Sequence, residues 1–322
     1  MTVTGATGLI GPALVAHLRA RDAQVTVLSR DPERALAKLS DTAPARREGQ
    51  PTPPPLQAVA WDPLAEPAPI EALRGRDGVV HLAGEPIAQR WSTRAKRAIR
   101  ESRVTGTRNL IAGLRALDGA AEGAPPGSRP SVLVSGSAIG YYGHHDEEPL
   151  DEEAPAGSDF LAQVCVAWES EAQSATELDM RVVQIRTGVV LDPHGGALAK
   201  MLPPFRLGIG GPVAGGKQFI SWIHRDDLVG VVGAALRSDW WQGPINATAP
   251  MPVSNGEFAK ALGRTLRRPA FLPVPAFALH ALYGEMAEIV TRGARVLPAK
   301  PLMLGYRFRH PDLDEALRAT LG

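Results

Sequence analysis

The chain has 322 residues, 44% hydrophobic and 21% charged, enough to bury a full core without cross-links. Its 35 basic and 34 acidic side chains leave a formal charge of +1, against the basic excess of a dedicated nucleic-acid binder. Cys165 is the single cysteine, which excludes an intrachain disulfide and a multi-cysteine zinc site. The N-terminus lacks a basic stretch followed by an apolar one, and the longest apolar run, Leu228 to Leu236, is far short of a membrane span. A soluble cytoplasmic protein with neither nucleic-acid nor membrane partners is expected.

The first element is short, since only Met1 to Val3 precede the loop Thr4-Gly5-Ala6-Thr7-Gly8-Leu9-Ile10-Gly11. Glycines at this spacing, after a strand and before a helix, carry the signature of a dinucleotide phosphate loop. Gly5 permits the tight turn, Gly8 lets backbone approach a pyrophosphate, and Gly11 allows close helix packing. The amides around Thr7, Leu9 and Ile10 then face the phosphates, helped by the helix dipole. Leu9, Leu14 and Leu18 mark the helix face. The next strand, Val25 to Leu28, ends in Ser29-Arg30-Asp31. Ser29 stands where a carboxylate would hold the ribose of NAD, and Arg30 beside it can pair with a 2′-phosphate, which favours NADP(H). In the competing reading Asp31 takes the ribose and Arg30 is merely solvated.

Residues 41–55 and 119–130 are rich in proline and glycine, lack apolar periodicity and read as inserted surface loops. Around them strands and helices alternate. Strands are expected at Gln57 to Trp61, Gly78 to Ala83, Val132 to Val134 and Arg181 to Ile185. Ser92-Thr93 caps one long helix, with Ile99, Val104, Leu110, Ile111 and Leu114 for its buried stripe; Ser158-Asp159 starts another that runs to about Leu178. Such alternation predicts an α/β fold, a Rossmann-like, doubly wound parallel sheet. The expected dinucleotide-binding domain covers 1–186 plus about 222–248. A smaller, discontinuous C-terminal substrate lobe is expected at 187–221 and 249–322, closing over the sheet edge where ligands bind.

TGATGLIG, His81-Leu82-Ala83-Gly84 and Ser135-Gly136-Ser137-Ala138-Ile139-Gly140-Tyr141-Tyr142-Gly143 together resemble the extended branch of the short-chain dehydrogenase/reductase superfamily. AGEPIAQRW at Ala83 to Trp91, SRVTGTRNL at Ser102 to Leu110, FISWIHRDDL at Phe219 to Leu228 and the ending through Gly305 to Phe308 narrow this further. They are similar to an atypical NAD-dependent epimerase/dehydratase-like subfamily with its own C-terminal domain of unknown function. The resemblance covers essentially the whole chain. It implies an NADP-dependent oxidoreductase or epimerase that moves hydride at a hydroxyl or carbonyl carbon, a sugar nucleotide being one substrate class.

The superfamily's chemistry uses a Ser or Thr with a Tyr and Lys spaced Y-x-x-x-K; the lysine lowers the tyrosine's pKa. Ser137 matches the serine, and Tyr142 the Tyr-Gly that follows it, so both are taken as catalytic. The Y-x-x-x-K pair is missing: Leu161 and Cys165 occupy its places. Three explanations stay open. Tyr141, Tyr142, Glu85 or His224 supplies the proton; or the chain is a non-catalytic NADP(H)-responsive sensor; or Cys165 is reactive rather than a small buried apolar residue. By the same resemblance Arg103 joins Leu82 and Ala83 in the cofactor set; Glu85, directly after a strand, and Trp91, Arg206 and His224 are the candidates to face an unknown small-molecule substrate. His144 to Glu148 is a consecutive run without metal-ligand spacing, so no metal is expected. A homodimer is the candidate assembly.

Overall fold

The computed structural model describes residues 1–40, 54–119, 129–145 and 147–322. The two expected surface loops fall outside these residues except at their ends. Seven strands form one parallel sheet: β1 (Thr2–Thr4), β2 (Thr26–Ser29), β3 (Gln57–Ala60), β4 (Gly78–His81), β5 (Val132–Ala138), β6 (Arg181–Thr187) and β7 (Gly243–Ala247). Their spatial order is β7-β6-β5-β4-β1-β2-β3, with register pairs such as Val3↔Val27, Val3↔Val80 and Val80↔Val134. The order reverses between β1 and β4, which places a crevice at the carboxyl end of those two strands.

Strand residues divide by parity between two cores. Val3, Val80, Val134 and Val183 face one, with Leu14, Val15 and Leu18 of α1 (Gly11–Arg19) packed on it. Val79, Leu133 and Val182 face the other, against Leu110, Ile111 and Leu114 of the long helix α3 (Thr93–Gly119). Covering both faces is why these strands read as nearly unbroken apolar runs. Leu9 does not join the α1 face: it precedes the helix and is 38% exposed, and Val15 takes the buried place instead.

Further helices are α2 (Pro32–Ser40), α4 (Phe160–Gln173), α5 (Gly196–Arg206), α6 (Arg225–Arg237), α7 (Asn255–Leu266) and α8 (Ala276–Tyr283). Ser92 Oγ accepts from the Ala95 amide at 3.2 Å and Asp159 Oδ1 from the Ala162 amide at 2.9 Å, so α3 and α4 begin where the capping residues predict. A third core gathers Leu191, Leu198, Leu202, Phe205, Trp222, Phe258, Leu262, Leu313 and Leu317, from segments on both sides of α6. This small lobe leaves α8 without a single buried residue. No described helix is long and apolar enough to cross a membrane.

Candidate functional site

The loop from β1 into α1 is shaped by backbone contacts that tolerate only glycine. Gly5 has φ +68°, and a Cβ there would come within 2.6 Å of the Leu82 carbonyl carbon and oxygen. A Cβ on Gly11 would lie 2.1 Å from the Ala6 carbonyl oxygen, so the helix start is pressed onto its own loop. Gly8 is exposed, and its amide closes the turn onto Gly5 O at 2.9 Å. The N-terminus of α1 has no side-chain cap and no acid in its first turn. Free amides and the positive end of the helix dipole therefore meet at an open, glycine-lined surface, which is what a phosphate requires. Lys38 of α2 joins them, its Nζ donating to Thr7 O at 2.8 Å. Sequence reasoning missed Lys38, because nothing along the chain links α2 to this loop.

At the end of β2, Asp31 Oδ1 accepts from the Arg34 amide at 3.0 Å and so caps α2. The Ser29 hydroxyl turns back on the same residue, accepting from the Asp31 amide at 3.2 Å. Arg30 is exposed and has no partner among the described residues. The carboxylate that competes for the ribose is thus engaged by its own helix, while the cation has no partner among the described residues.

On the other side of β1, His81 at the end of β4 is fully buried, with Nδ1 2.7 Å from Thr4 Oγ1 and Nε2 3.1 Å from Thr107 Oγ1. The Ala83 amide donates to the same Thr4 hydroxyl at 3.2 Å, which holds the Leu82–Gly84 loop against the phosphate loop. Glu85 is half-buried, its amide donating to Ser102 Oγ at 2.9 Å and its carbonyl accepting from Arg103 Nη1 at 3.0 Å. The Trp91 indole N–H donates to Ile87 O at 2.9 Å, and its ring meets the Phe160 ring edge-on at 5.2 Å. Trp91 therefore anchors the 85–91 loop to the start of α4.

Beyond β5 the site differs from the expectation. Ser137 Oγ donates to Glu169 Oε1 at 2.6 Å, and Glu169 in turn takes a two-pronged pair from Arg186, Nε to Oε1 and Nη2 to Oε2, both 2.9 Å. Arg186 Nη1 donates to the Tyr142 hydroxyl at 2.9 Å, and that hydroxyl donates to Asn246 Oδ1 at 2.7 Å. Tyr142 is fully buried, and burial pushes its pKa up to about 12. It has no surface to offer a substrate, so the expectation of a catalytic Tyr142 is corrected to a member of a buried network. Ser137 is 5% exposed with its proton directed at Glu169, which makes it a link in that network too. Cys165 packs on the same strand end, and burial pushes its thiol up to about 12; it is neutral near pH 7 and not a reactive thiolate. Tyr141 is the partly exposed tyrosine, its ring 3.4 Å from the Arg186 guanidinium and its hydroxyl without a hydrogen-bond partner among the described residues.

Two residues expected at the substrate stand elsewhere. His224 is 6% exposed and caps α6, Nδ1 accepting from the Asp226 amide at 3.1 Å, with its ring 3.9 Å from that of His310. Arg206 ends α5 on an exposed surface and joins none of the groups above. His224, Asp226 and His310 bring one ligand atom each within 4.8 Å of one another. Arg225 Nε lies 3.7 Å from the Asp226 carboxylate, and that cation competes with any metal for the same oxygen. Arg186, Glu169 and Asn246 were not singled out as functional from the sequence. The available signal was Arg186 next to the end of a strand rich in valine and isoleucine, a cation that must find an acid if it is buried.

An open sheet crevice with an uncapped helix at its floor defines a dinucleotide-binding Rossmann protein. Residues 1–245 match the NAD dependent epimerase/dehydratase family, and residues 274–320 match a domain of unknown function, DUF1731. The chain belongs to the NAD-dependent epimerase/dehydratase family. It is 41% identical over 322 residues to the chloroplastic epimerase family protein SDR39U1 homolog of Arabidopsis thaliana, covering 100% of this chain and 86% of that one. It is 38% identical to the epimerase family protein Mb2239 of Mycobacterium bovis, covering 98% and 96%. Among solved structures, human SDR39U1 (isoform 2) with NADPH superimposes with a TM-score of 0.83 at 33% identity, covering 99% of this chain and 98% of that one.

Proposed function

We propose that this chain is an NADP(H)-binding oxidoreductase of the short-chain dehydrogenase/reductase type, acting at a hydroxyl or carbonyl carbon. The observation that carries the cofactor is the division of labour after β2, where Asp31 caps α2 and Arg30 is exposed with no partner among the described residues. A guanidinium in that place favours a 2′-phosphate over a bare ribose hydroxyl. The human relative crystallised with NADPH supports the same choice. Gly5, Gly8, Gly11 and the α1 amides would hold the pyrophosphate, with Leu82 and Ala83 walling the crevice beside them. When bound, the cofactor supplies or accepts the hydride.

Proton transfer falls to Tyr141, the hydroxyl near the end of β5 that no other group engages among the described residues, with Glu85 as a substrate contact. A sugar nucleotide heads the substrate classes to test. The second reading is binding without turnover, and one observation favours it: Ser137 and Tyr142 both donate inward, to Glu169 and Asn246.

Titration calorimetry with NADPH, NADP+ and NADH tests the cofactor. Arg30→Asp is expected to reverse the NADPH-over-NADH preference, and an unchanged ratio would mean the 2′-phosphate lies elsewhere. A screen of carbonyl compounds and sugar nucleotides by NADPH absorbance and hydride exchange separates the two functions. Tyr141→Phe is expected to abolish turnover while NADPH affinity holds; turnover that survives it removes Tyr141 from the mechanism.

A further inference from the structure

Residues 193–225 and 258–284 contain no Asp or Glu, in a chain whose acids and bases otherwise balance. The two stretches lie side by side in the small lobe, Val274 N donating to Pro212 O at 2.8 Å and Ala214 N to Val274 O at 3.0 Å. A cavity of about 750 Å³ opens there, walled by Lys260, Arg264, Arg267, Arg268, Phe271 and Gly215 among others. None of its lining residues is an acid, and none belongs to the crevice. Lys260, Arg264 and Arg267 follow one stripe of α7 and the turn that ends it, a spacing at which like charges repel and weaken a helix. Arg264 is held by Asp314, Nη2 to Oδ2 at 2.7 Å. Lys260, Arg267 and Arg268 are exposed and have no hydrogen-bond or ion-pair partner among the described residues. Glu257, one turn before Lys260, is occupied as the helix cap, its carboxylate accepting from the Ser254 amide at 2.8 Å. The loop beside α7 adds a donor. Ala214, Gly215 and Gly216 have φ of +48°, +83° and +74°. The Gly215 amide has no partner among the described residues, and a Cβ on Gly215 would meet nothing within 4 Å.

The charges say what fits. Cations gathered without acids repel one another, and an anion among them removes that repulsion. Two guanidinium forks and an ammonium suit phosphate oxygens, the forks through paired hydrogen bonds. Three unpaired cations match a ligand with more than one negative charge. Phe271, 72% exposed on the same wall, offers a flat apolar face to its organic part. The volume lies in the range of small-molecule sites. A second copy of the chain is a poor occupant, because a two-fold contact would set these cations against their own copies.

We propose that this cavity is an anion site separate from the dinucleotide crevice, for a small organic phosphate carrying two or more negative charges. The probe is inorganic pyrophosphate, titrated by calorimetry into the full chain with NADPH in excess to occupy the phosphate loop. Binding to the wild-type chain is expected, and it should weaken as salt is added. A double variant, Lys260→Gln with Arg268→Gln, should bind pyrophosphate roughly ten- to a hundredfold more weakly, the scale of lost charged hydrogen bonds. Both side chains are exposed, and an unchanged thermal midpoint certifies that the variant is folded. Comparing the two chains reads this cavity whether or not the crevice takes NADPH. Pyrophosphate that binds both chains equally sits elsewhere and overturns the proposal, as does a wild-type chain that binds none. Vesicles of phosphatidylcholine, with and without phosphatidylglycerol, test a membrane as the source of the phosphate. Sedimentation with the anionic vesicles in the absence of pyrophosphate binding overturns the small-molecule assignment.

Discussion

His81 is held by two threonine hydroxyls and no acid, and burial lowers its pKa from 6.5 to about 4. Above pH 6.5 it is neutral in the folded and unfolded chain alike, and pH has no leverage through it. As pH falls below 6.5 the unfolded chain takes up a proton that the folded one refuses until about pH 4. Folding should therefore lose about 3 kcal/mol through His81 across that window. His17, lowered to about 4 by burial and by Arg21, Arg237 and Arg309, acts in the same direction. Urea unfolding at pH 7 and pH 4.5 reads the loss, and His81→Gln should show less of it; an identical pH dependence in both proteins would count against the assignment. Glu169 and Arg186 show the other way to keep ionisable groups inside. Each is charged, and each is satisfied by the other and by the neighbouring hydroxyls.

At the scale of elements, the placement of α1 decides whether the crevice can hold a phosphate. Its N-terminus approaches the loop only because Gly11 has no side chain, the Ala6 carbonyl oxygen being 2.1 Å from where a Cβ would sit. Gly11→Val must lift the helix start off the loop and part Leu14 and Val15 from the sheet. An expected loss of at least about 2 kcal/mol in unfolding free energy, the range of overpacked sites, should come with loss of NADPH binding. A variant with wild-type stability and affinity would show that the helix accommodates the side chain. The same element logic explains α4. Its Asp159 cap sets the helix phase that turns Cys165, Trp168 and Glu169 toward β5 and β6.

Across the whole molecule, the chain leaves the sheet after β6, builds part of the small lobe, returns for β7 and leaves again. Asp227, 1% exposed at the start of α6, ties the last departure down. Its carboxylate accepts from the Arg309 amide at 2.7 Å and the His310 amide at 2.9 Å, and its carbonyl accepts from the Tyr306 hydroxyl at 3.0 Å. Asp227→Ala leaves two amides without an acceptor, at a cost of about 3 kcal/mol for charge-assisted bonds. Hydrogen exchange should quicken in residues 305–322 ahead of the sheet. Uniform exchange throughout the chain would mean that the C-terminal segment and the sheet open as one unit. Lys96 with Glu285, and Lys200 Nζ on Ala88 O at 2.7 Å, bridge the same two parts near the crevice.

The parallel sheet, the phosphate loop and the helix starts were legible in the sequence because local physics writes them there. Apolar runs, glycine spacing and capping residues act over a few neighbours, and Gly5, Gly11, Ser92 and Asp159 behave as that physics requires. The chemistry beyond β5 was not legible. Tyr142, Glu169, Arg186 and Asn246 are up to 104 positions apart and meet only when β5, β6, β7 and α4 assemble. Sequence alone could name Ser137 and Tyr142 as hydroxyls at a strand end. Which hydroxyl faces inward and which stays open was decided by burial, since a desolvated arginine must gather every acceptor within reach.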